Sequence, residues 1–158
     1  MAVARYRFLT TWLLDAQLAE TWRAVEDCER WPEWWRGIEQ AEVVDRGSAG
    51  AGLRVRCAWR SVFPYTVRFE TETVRVQPPH VIEVVARGEL AGRGVWRLFA
   101  SDDATCVTYE WDVETTKTWM NAAAPVARPL FEWNHHWIMR RGGEGLAKLL
   151  AARLLASS

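Results

Sequence analysis

A chain of 158 residues is the length of one domain and can bury about two thirds of its unfolded surface in one core. Its 20 Lys and Arg balance 20 Asp and Glu, so it lacks the basic excess that draws proteins to phosphates, and no nucleic acid partner is expected. Met1 to Leu14 contains no apolar h-region and the chain nowhere holds about 18 uninterrupted apolar residues, so no integral membrane segment and a cytoplasmic location are expected. In chain order, Arg5 to Leu14 reads as a strand, with Tyr6, Phe8, Thr10 and Trp12 alternating against Arg7, Leu9 and Thr11. Asp15 then opens a helix, its carboxylate placed to accept from the free N–H groups of a first turn that carries Leu18, Trp22 and Val25 at helical spacing. Glu29 to Gly37 predicts a second short helix, with Pro32 in its first turn and Gly37 at its end.

From Ile38 to Thr115 the pattern turns to strand-length runs between Gly, Pro and Asp turns: Ile38 to Asp45, Gly52 to Arg60, Tyr65 to Gln77, Val81 to Glu89, Gly94 to Ser101 and Thr105 to Thr115. Two faces separate. Leu53, Val55, Cys57 and Trp59 oppose Arg54, Arg56 and Arg60, and Val107, Tyr109, Trp111 and Val113 oppose Glu110, Asp112 and Glu114. This describes an antiparallel sheet with one dry face and one wet face laced by cross-strand ion pairs. The glycine-rich stretch Gly88 to Gly94 lies between two strands and reads as a hairpin turn, not a phosphate cradle. The last element is a helix starting near Pro125 to Pro129 and running to about Leu155, with Phe131, His135, Ile138, Gly142, Leu146 and Leu149 on one stripe. Gly142, Gly143 and Gly145 weaken it by roughly 1 kcal/mol each relative to Ala, which points to a bend or a close approach to a strand. The fold class is α+β: a seven-stranded curved antiparallel sheet around a long C-terminal helix, with two short helices after the first strand, in one domain over residues 1–158.

Tyr6 to Leu14, then Asp15-Ala16-Gln17-Leu18-Ala19-Glu20-Thr21-Trp22, Glu29-Arg30-Trp31-Pro32-Glu33-Trp34-Trp35 and Asn134-His135-His136-Trp137-Ile138-Met139 carry a resemblance over nearly the whole chain. The sequence resembles the bacterial polyketide cyclase/dehydrase-like proteins of the START and Bet v 1-like (SRPBCC) superfamily of helix-grip folds. The resemblance implies a deep cavity between sheet and C-terminal helix that binds lipids, sterols or polyketide-like compounds. Some members cyclise or dehydrate aromatic polyketides, and many only bind or carry. The Trp-Pro-x-Trp signature packs the early helices, and no catalytic motif of the family carries over onto residues of this chain.

Eleven tryptophans are the strongest compositional signal, because an indole is costly to bury unless its N–H finds a partner. Trp59, Trp96 and Trp111 fall on inward strand positions, where they either fill a core or line a ligand. With them, Tyr65, Val67, Phe69, Val84, Tyr109, Phe131, Asn134 and Ile138 are the expected ligand-facing residues, Tyr65 and Tyr109 offering hydroxyls to a carbonyl or enol. His135, on the apolar stripe of the last helix, is the candidate general acid or base, the alternative being a core histidine bonded to a tyrosine or carbonyl. His136 points about 100° away and is expected at the surface; Arg97, flanked by apolar Trp96 and Leu98, is expected to face solvent. Glu70, Glu72, Glu110 and Asp112 lie on the wet face and lack the desolvation that makes a carboxyl a general acid. Cys28, Cys57 and Cys106 are odd in number and widely spaced, which predicts buried reduced thiols. No metal and no cofactor are expected, and no G-x-S-x-G, Walker or G-x-G-x-x-G motif is present.

Three functions remain open: binding of a hydrophobic small molecule, by a monomer or homodimer; an aromatase/cyclase or dehydratase in which His135 and a tyrosine assist proton transfer within a shape that folds a poly-β-keto chain; and a ligand-free partner-binding module. A filled core favours the last, a dry cavity carriage, and a cavity with two inward polar groups in reach of each other chemistry. The stretch Met120 to Ala127 precedes the long helix as an ordinary loop or a lid.

Overall fold

The computed structural model describes residues 3–48, 51–60 and 65–158. β1 (Arg5–Leu14) buries Tyr6, Thr10, Trp12 and Leu14 on one face, as a period of two requires. It is followed by α1 (Leu18–Glu26), a 3₁₀ turn (Cys28–Arg30) and α2 (Trp31–Trp34), with Pro32 in the first turn of α2 as its missing N–H allows. Gly37, at φ +110°, turns the chain into the sheet. The strands β2 (Ile38–Asp45), β3 (Arg54–Arg60), β4 (Thr66–Gln77), β5 (Val81–Gly88), β6 (Leu90–Ser101) and β7 (Ala104–Thr115) form a meander that returns to β1. Sheet order is β2-β3-β4-β5-β6-β7-β1-β8 with antiparallel neighbours. β6 begins four residues before the expected Gly94, because Leu90 to Arg93 pair with the end of β7.

Three elements depart from the sequence reading. Asp15 does not cap α1: the helix starts at Leu18 with Gln17 as a cap that makes no side-chain bond, and Asp15 instead accepts from Arg153 Nη2 at 3.0 Å and Nε at 3.3 Å. The long helix α3 (Thr118–Leu149) starts before its prolines, not at them. Its first turn is tied to the sheet by Asn121, whose Oδ1 accepts from Ala4 N at 3.0 Å and Thr115 Oγ1 at 2.6 Å, and by the burial of Met120 and Ala124, so the helix continues through Pro125 and Pro129 although each removes a backbone bond. Residues 120–127 are therefore helix, neither loop nor lid.

The third departure is an eighth strand. α3 ends at Leu149, leaving that side chain 43% exposed and off the buried stripe, and Ala151 turns at φ +50° into β8 (Leu154–Ser157). Thr11 and Ser158 exchange a pair of 3.0 Å backbone bonds, so the tail occupies the edge that β1 would otherwise present to solvent. Local composition favours helix here, but satisfying an open row of strand donors and acceptors outweighs the few tenths of a kcal/mol per residue of helix propensity.

The wet face carries the expected ion pairs. Arg54–Glu70 (2.9 Å), Arg97–Glu110 (3.0 Å), Arg7–Asp112 (3.1 Å) and Arg87–Glu72 (3.3 Å) all bridge neighbouring strands. Each is solvent-exposed and contributes about 0–1 kcal/mol. On the dry face α3 lies across the concavity, and its C-terminal half closes on tryptophan. A Cβ at Gly142 would stand 2.5 Å from Trp35 Cε2, and one at Gly143 would stand 2.9 Å from Trp12. These two glycines are helix positions chosen for close approach, at a cost in propensity that ring packing offsets.

Candidate functional site

The interior is organised by Trp35, which follows α2 and is fully buried. Its ring lies 5.5 Å from Trp12, 5.3 Å from Trp31, 5.5 Å from Trp59 and 6.0 Å from Trp96, and its Nε1–H donates to Ile138 O of α3 at 2.9 Å. That donation satisfies the polar handle of a buried indole and fixes the short helices against the long one. Around this cluster the concavity stays open in two places.

The smaller cavity, about 80 Å³, lies under α3 against β1, β3, β4 and β7. The larger, about 310 Å³, lies under the sheet on the side of α1 and the 3₁₀ turn. Trp59 and Phe69 line both, so they form the wall between them. Of the residues expected to face a ligand, Trp59, Val67, Phe69, Trp111, Phe131, Asn134, His135 and Ile138 line the smaller cavity. Val84, Trp96 and Tyr109 line the larger, where Trp96 stacks on Tyr109 at 4.0 Å. Tyr65 lines neither. Its hydroxyl donates to Glu89 Oε1 at 2.7 Å and its ring meets Trp119 edge-on at 5.2 Å, because β4 begins one residue later and Tyr65 sits at the rim. Arg97 points to solvent and His136 is exposed.

His135 is buried and stacks flat on Phe8, with ring centroids 3.7 Å apart. Burial, with a smaller contribution from His136, pushes its imidazole down to about 3, so it is neutral throughout the physiological range. Its Nε2 has no hydrogen-bond partner, and neither do Tyr6 Oη and Trp59 Nε1, which belong to other residues of the same cavity wall. Three unpartnered polar atoms around one small apolar space are unusual, since each forgoes about 1–3 kcal/mol of solvation. Together they supply an indole donor, a hydroxyl that donates or accepts, and an imidazole nitrogen. Tyr6 is held from behind by the Arg128 guanidinium, 4.5 Å over its ring.

Burial raises the Tyr109 hydroxyl well above its usual value, the Cys28 thiol to about 11 and the Cys57 thiol to about 12. Both thiols line the larger cavity as neutral, unreactive groups. Cys57 is buried as expected, whereas Cys28 and Cys106 are partly exposed. Among the described residues no cluster of His, Cys, Asp and Glu has the make-up of a metal site.

Sequence reasoning did not assign Tyr6, Phe8, Thr71 and Thr73 to cavity walls, although the period-2 pattern placed Tyr6 and Phe8 inward and the Tyr65–Val67–Phe69 alternation extends directly to Thr71 and Thr73. Cys28 had no such signal, since a 3₁₀ turn has no register with the sheet.

A curved antiparallel sheet gripping one long helix over an apolar, partly open interior defines a helix-grip domain of the START and Bet v 1 type. Residues 14–141 match the family model described as polyketide cyclase/dehydrase and lipid transport, and the chain belongs to that family. No curated protein matches the sequence significantly. Among solved structures, a START superfamily protein from Mycobacterium smegmatis is 15% identical, with TM-score 0.73 over 92% of this chain and 97% of the other. The Zhui aromatase/cyclase from Streptomyces sp. R1128 is likewise 15% identical, with TM-score 0.68 over 92% and 96%. The di-domain ARO/CYC BexL from the BE-7585A biosynthetic pathway is 18% identical with TM-score 0.72, and this chain, 94% covered, spans about half (51%) of its length. At these identities the likeness establishes the fold. Among the described residues no helix is long and apolar enough to cross a membrane.

Proposed function

We propose that this protein is a single cytoplasmic helix-grip domain that binds one hydrophobic small molecule, lipid-, sterol- or polyketide-like, beneath its sheet. The observation that carries this is the cavity of about 310 Å³ that stays open beside interlocked tryptophan rings. Its walls include Leu53, Val55, Ile82, Val84 and Trp96, with Thr71, Thr73 and Tyr109 as neutral polar positions and the exposed Glu26 and Arg46 as charged ones. The apolar body of the ligand occupies this space, and displacement of the Trp59–Phe69 wall extends it toward the smaller cavity, where Tyr6, Trp59 and His135 receive an uncharged oxygen. Native mass spectrometry of the purified chain, with Trp fluorescence during titration with fatty acids, sterols and aromatic polyketide mimics, tests the reading. One ligand per chain with saturable quenching, altered by Trp96→Phe and Trp111→Leu in proteins that remain folded, supports it; no bound species in any of these classes overturns it.

A second reading, cyclisation or dehydration of a polyketide-like substrate, is favoured by one specific arrangement. A neutral His135 and the unpartnered Tyr6 hydroxyl line one apolar cavity, a base and a weak acid of matched charge state. If the domain is such an enzyme, Tyr6→Phe and His135→Gln abolish turnover while leaving ligand stoichiometry unchanged.

A further inference from the structure

The outer side of α3 carries a feature that neither cavity uses. Trp119, Ala123, Val126, Leu130, Trp133 and Trp137 recur at alternating spacings of four and three, which on a helix draws one continuous stripe. The stripe lies beside the buried one, not on it. Trp119 is 49% exposed, Val126 89%, Leu130 39% and Trp133 53%. A soluble surface tolerates single exposed apolar residues, but an ordered row of them from Trp119 to Trp133, ending on the half-buried Trp137 that packs against the core, marks an interaction face.

The charges around this row select the partner. Most arginines of the chain are ion-paired to carboxylates, as Arg54, Arg87 and Arg93 are. Among the described residues Arg36, Arg60 and Arg140 have no such partner; of the other arginines only Arg68 and Arg23, whose Nε donates to Ala19 O, share that state. All three gather at the Trp137 end of the row. Gly37 lies against the Trp137 ring, Arg36 precedes it, Arg60 N donates to Gly37 O at 2.7 Å, and Arg140 follows Trp137 by one helical turn. A second copy does not answer this pattern: a parallel pairing sets arginines against arginines, and an antiparallel one sets three arginines against the Trp119 end, where the carboxylate of Glu89 is already taken by Lys117 at 3.7 Å and by the Tyr65 hydroxyl. A negatively charged lipid surface answers both parts, indoles entering the interfacial layer and guanidinium groups meeting phosphates.

We propose that α3 docks on anionic membranes through the Trp119–Trp137 row, with Arg36, Arg60 and Arg140 binding lipid phosphates. Docking is peripheral, in the plane of the interface. It brings the smaller cavity to the bilayer, because Arg60 and, from the same helix, Met120, Phe131 and Asn134 line it.

The test is flotation of the full chain with vesicles of phosphatidylcholine containing one third phosphatidylglycerol, and with phosphatidylcholine alone. Binding is expected to the anionic vesicles, with a blue shift of Trp emission, and to fall steeply at high salt. Val126→Glu, at a position that packs against little, should abolish it without lowering the unfolding temperature. Arg36→Gln with Arg140→Gln should weaken it about thirtyfold at the usual strength of a basic residue near an anionic leaflet. Failure to bind anionic vesicles, binding that Val126→Glu leaves intact, or a solution dimer that Val126→Glu dissociates would each overturn the proposal, the last in favour of self-association.

Discussion

The two halves of α3 are built on opposite terms. From Ile138 to Ala147 the helix is a clamp: Gly142 and Gly143 admit Trp35 and Trp12 to near van der Waals limits, Leu146 is fully buried, and the Ile138 carbonyl accepts the Trp35 indole. From Thr118 to Trp137 it is a roof. It interrupts its own hydrogen bonds with two prolines, covers a cavity in which Tyr6 Oη, Trp59 Nε1 and His135 Nε2 lack partners, and shows solvent an apolar row. Rigidity and ligand-facing chemistry are thus separated along one helix, and the division falls at Ile138, whose side chain lines the smaller cavity and whose carbonyl accepts the Trp35 indole.

Breaking the clamp should have the largest effect. Trp35→Ala removes the ring at the centre of the cluster and its bond to α3, and should cost about 3–5 kcal/mol in urea unfolding, whereas Trp133→Ala on the roof should cost less than about 0.5 kcal/mol. Comparable losses from both would erase the distinction.

The roof should announce itself through pH. His135 holds its proton less tightly folded, at about 3, than unfolded, near the ordinary value of 6.5. The unfolded chain therefore binds the extra proton first, and stability falls as pH drops through the window from 6.5 toward 3, by on the order of 1.4 kcal/mol per pH unit. Above that window both states are neutral at this residue and it contributes no slope. His135→Gln should flatten the profile over that range, as judged by the denaturation midpoint at each pH.

A single methyl sharpens the comparison further. Gly142→Ala improves helix propensity yet pushes Cβ into the Trp35 ring, and a net destabilisation of about 1–3 kcal/mol is expected, against a gain for the same exchange at an exposed helical glycine. The smallest effect belongs to the rim. Tyr65→Phe leaves the half-buried Glu89 without one donor and should lower stability by about 1 kcal/mol while leaving ligand stoichiometry unchanged, since Tyr65 lines neither cavity.

Much of this architecture was legible in the residues. The alternations in β1, β3 and β7 located the dry face, because a strand repeats every two residues whatever its neighbours are. The exposure of Arg97 and His136 and the inward setting of Trp59, Trp96 and Trp111 follow from the same periodicities. The start of α3 was not legible: prolines read locally as a helix beginning, while the Asn121 side chain that anchors the true first turn bonds to residues 117 positions away and six positions away. The eighth strand escaped for the same reason, since its partner is the far end of the chain.

Sequence alone thus determined the class of fold, the two faces of the sheet and the aromatic character of its interior, all of which are set by repeats of two to four residues. Only the tertiary structure decided that the interior holds two cavities on either side of Trp59 and Phe69, that His135 is neutral beside an unpartnered tyrosine, and that the apolar row of α3 faces outward. Those are properties of distance between remote residues, and volume, desolvation and exposure come into being only once the rings have packed.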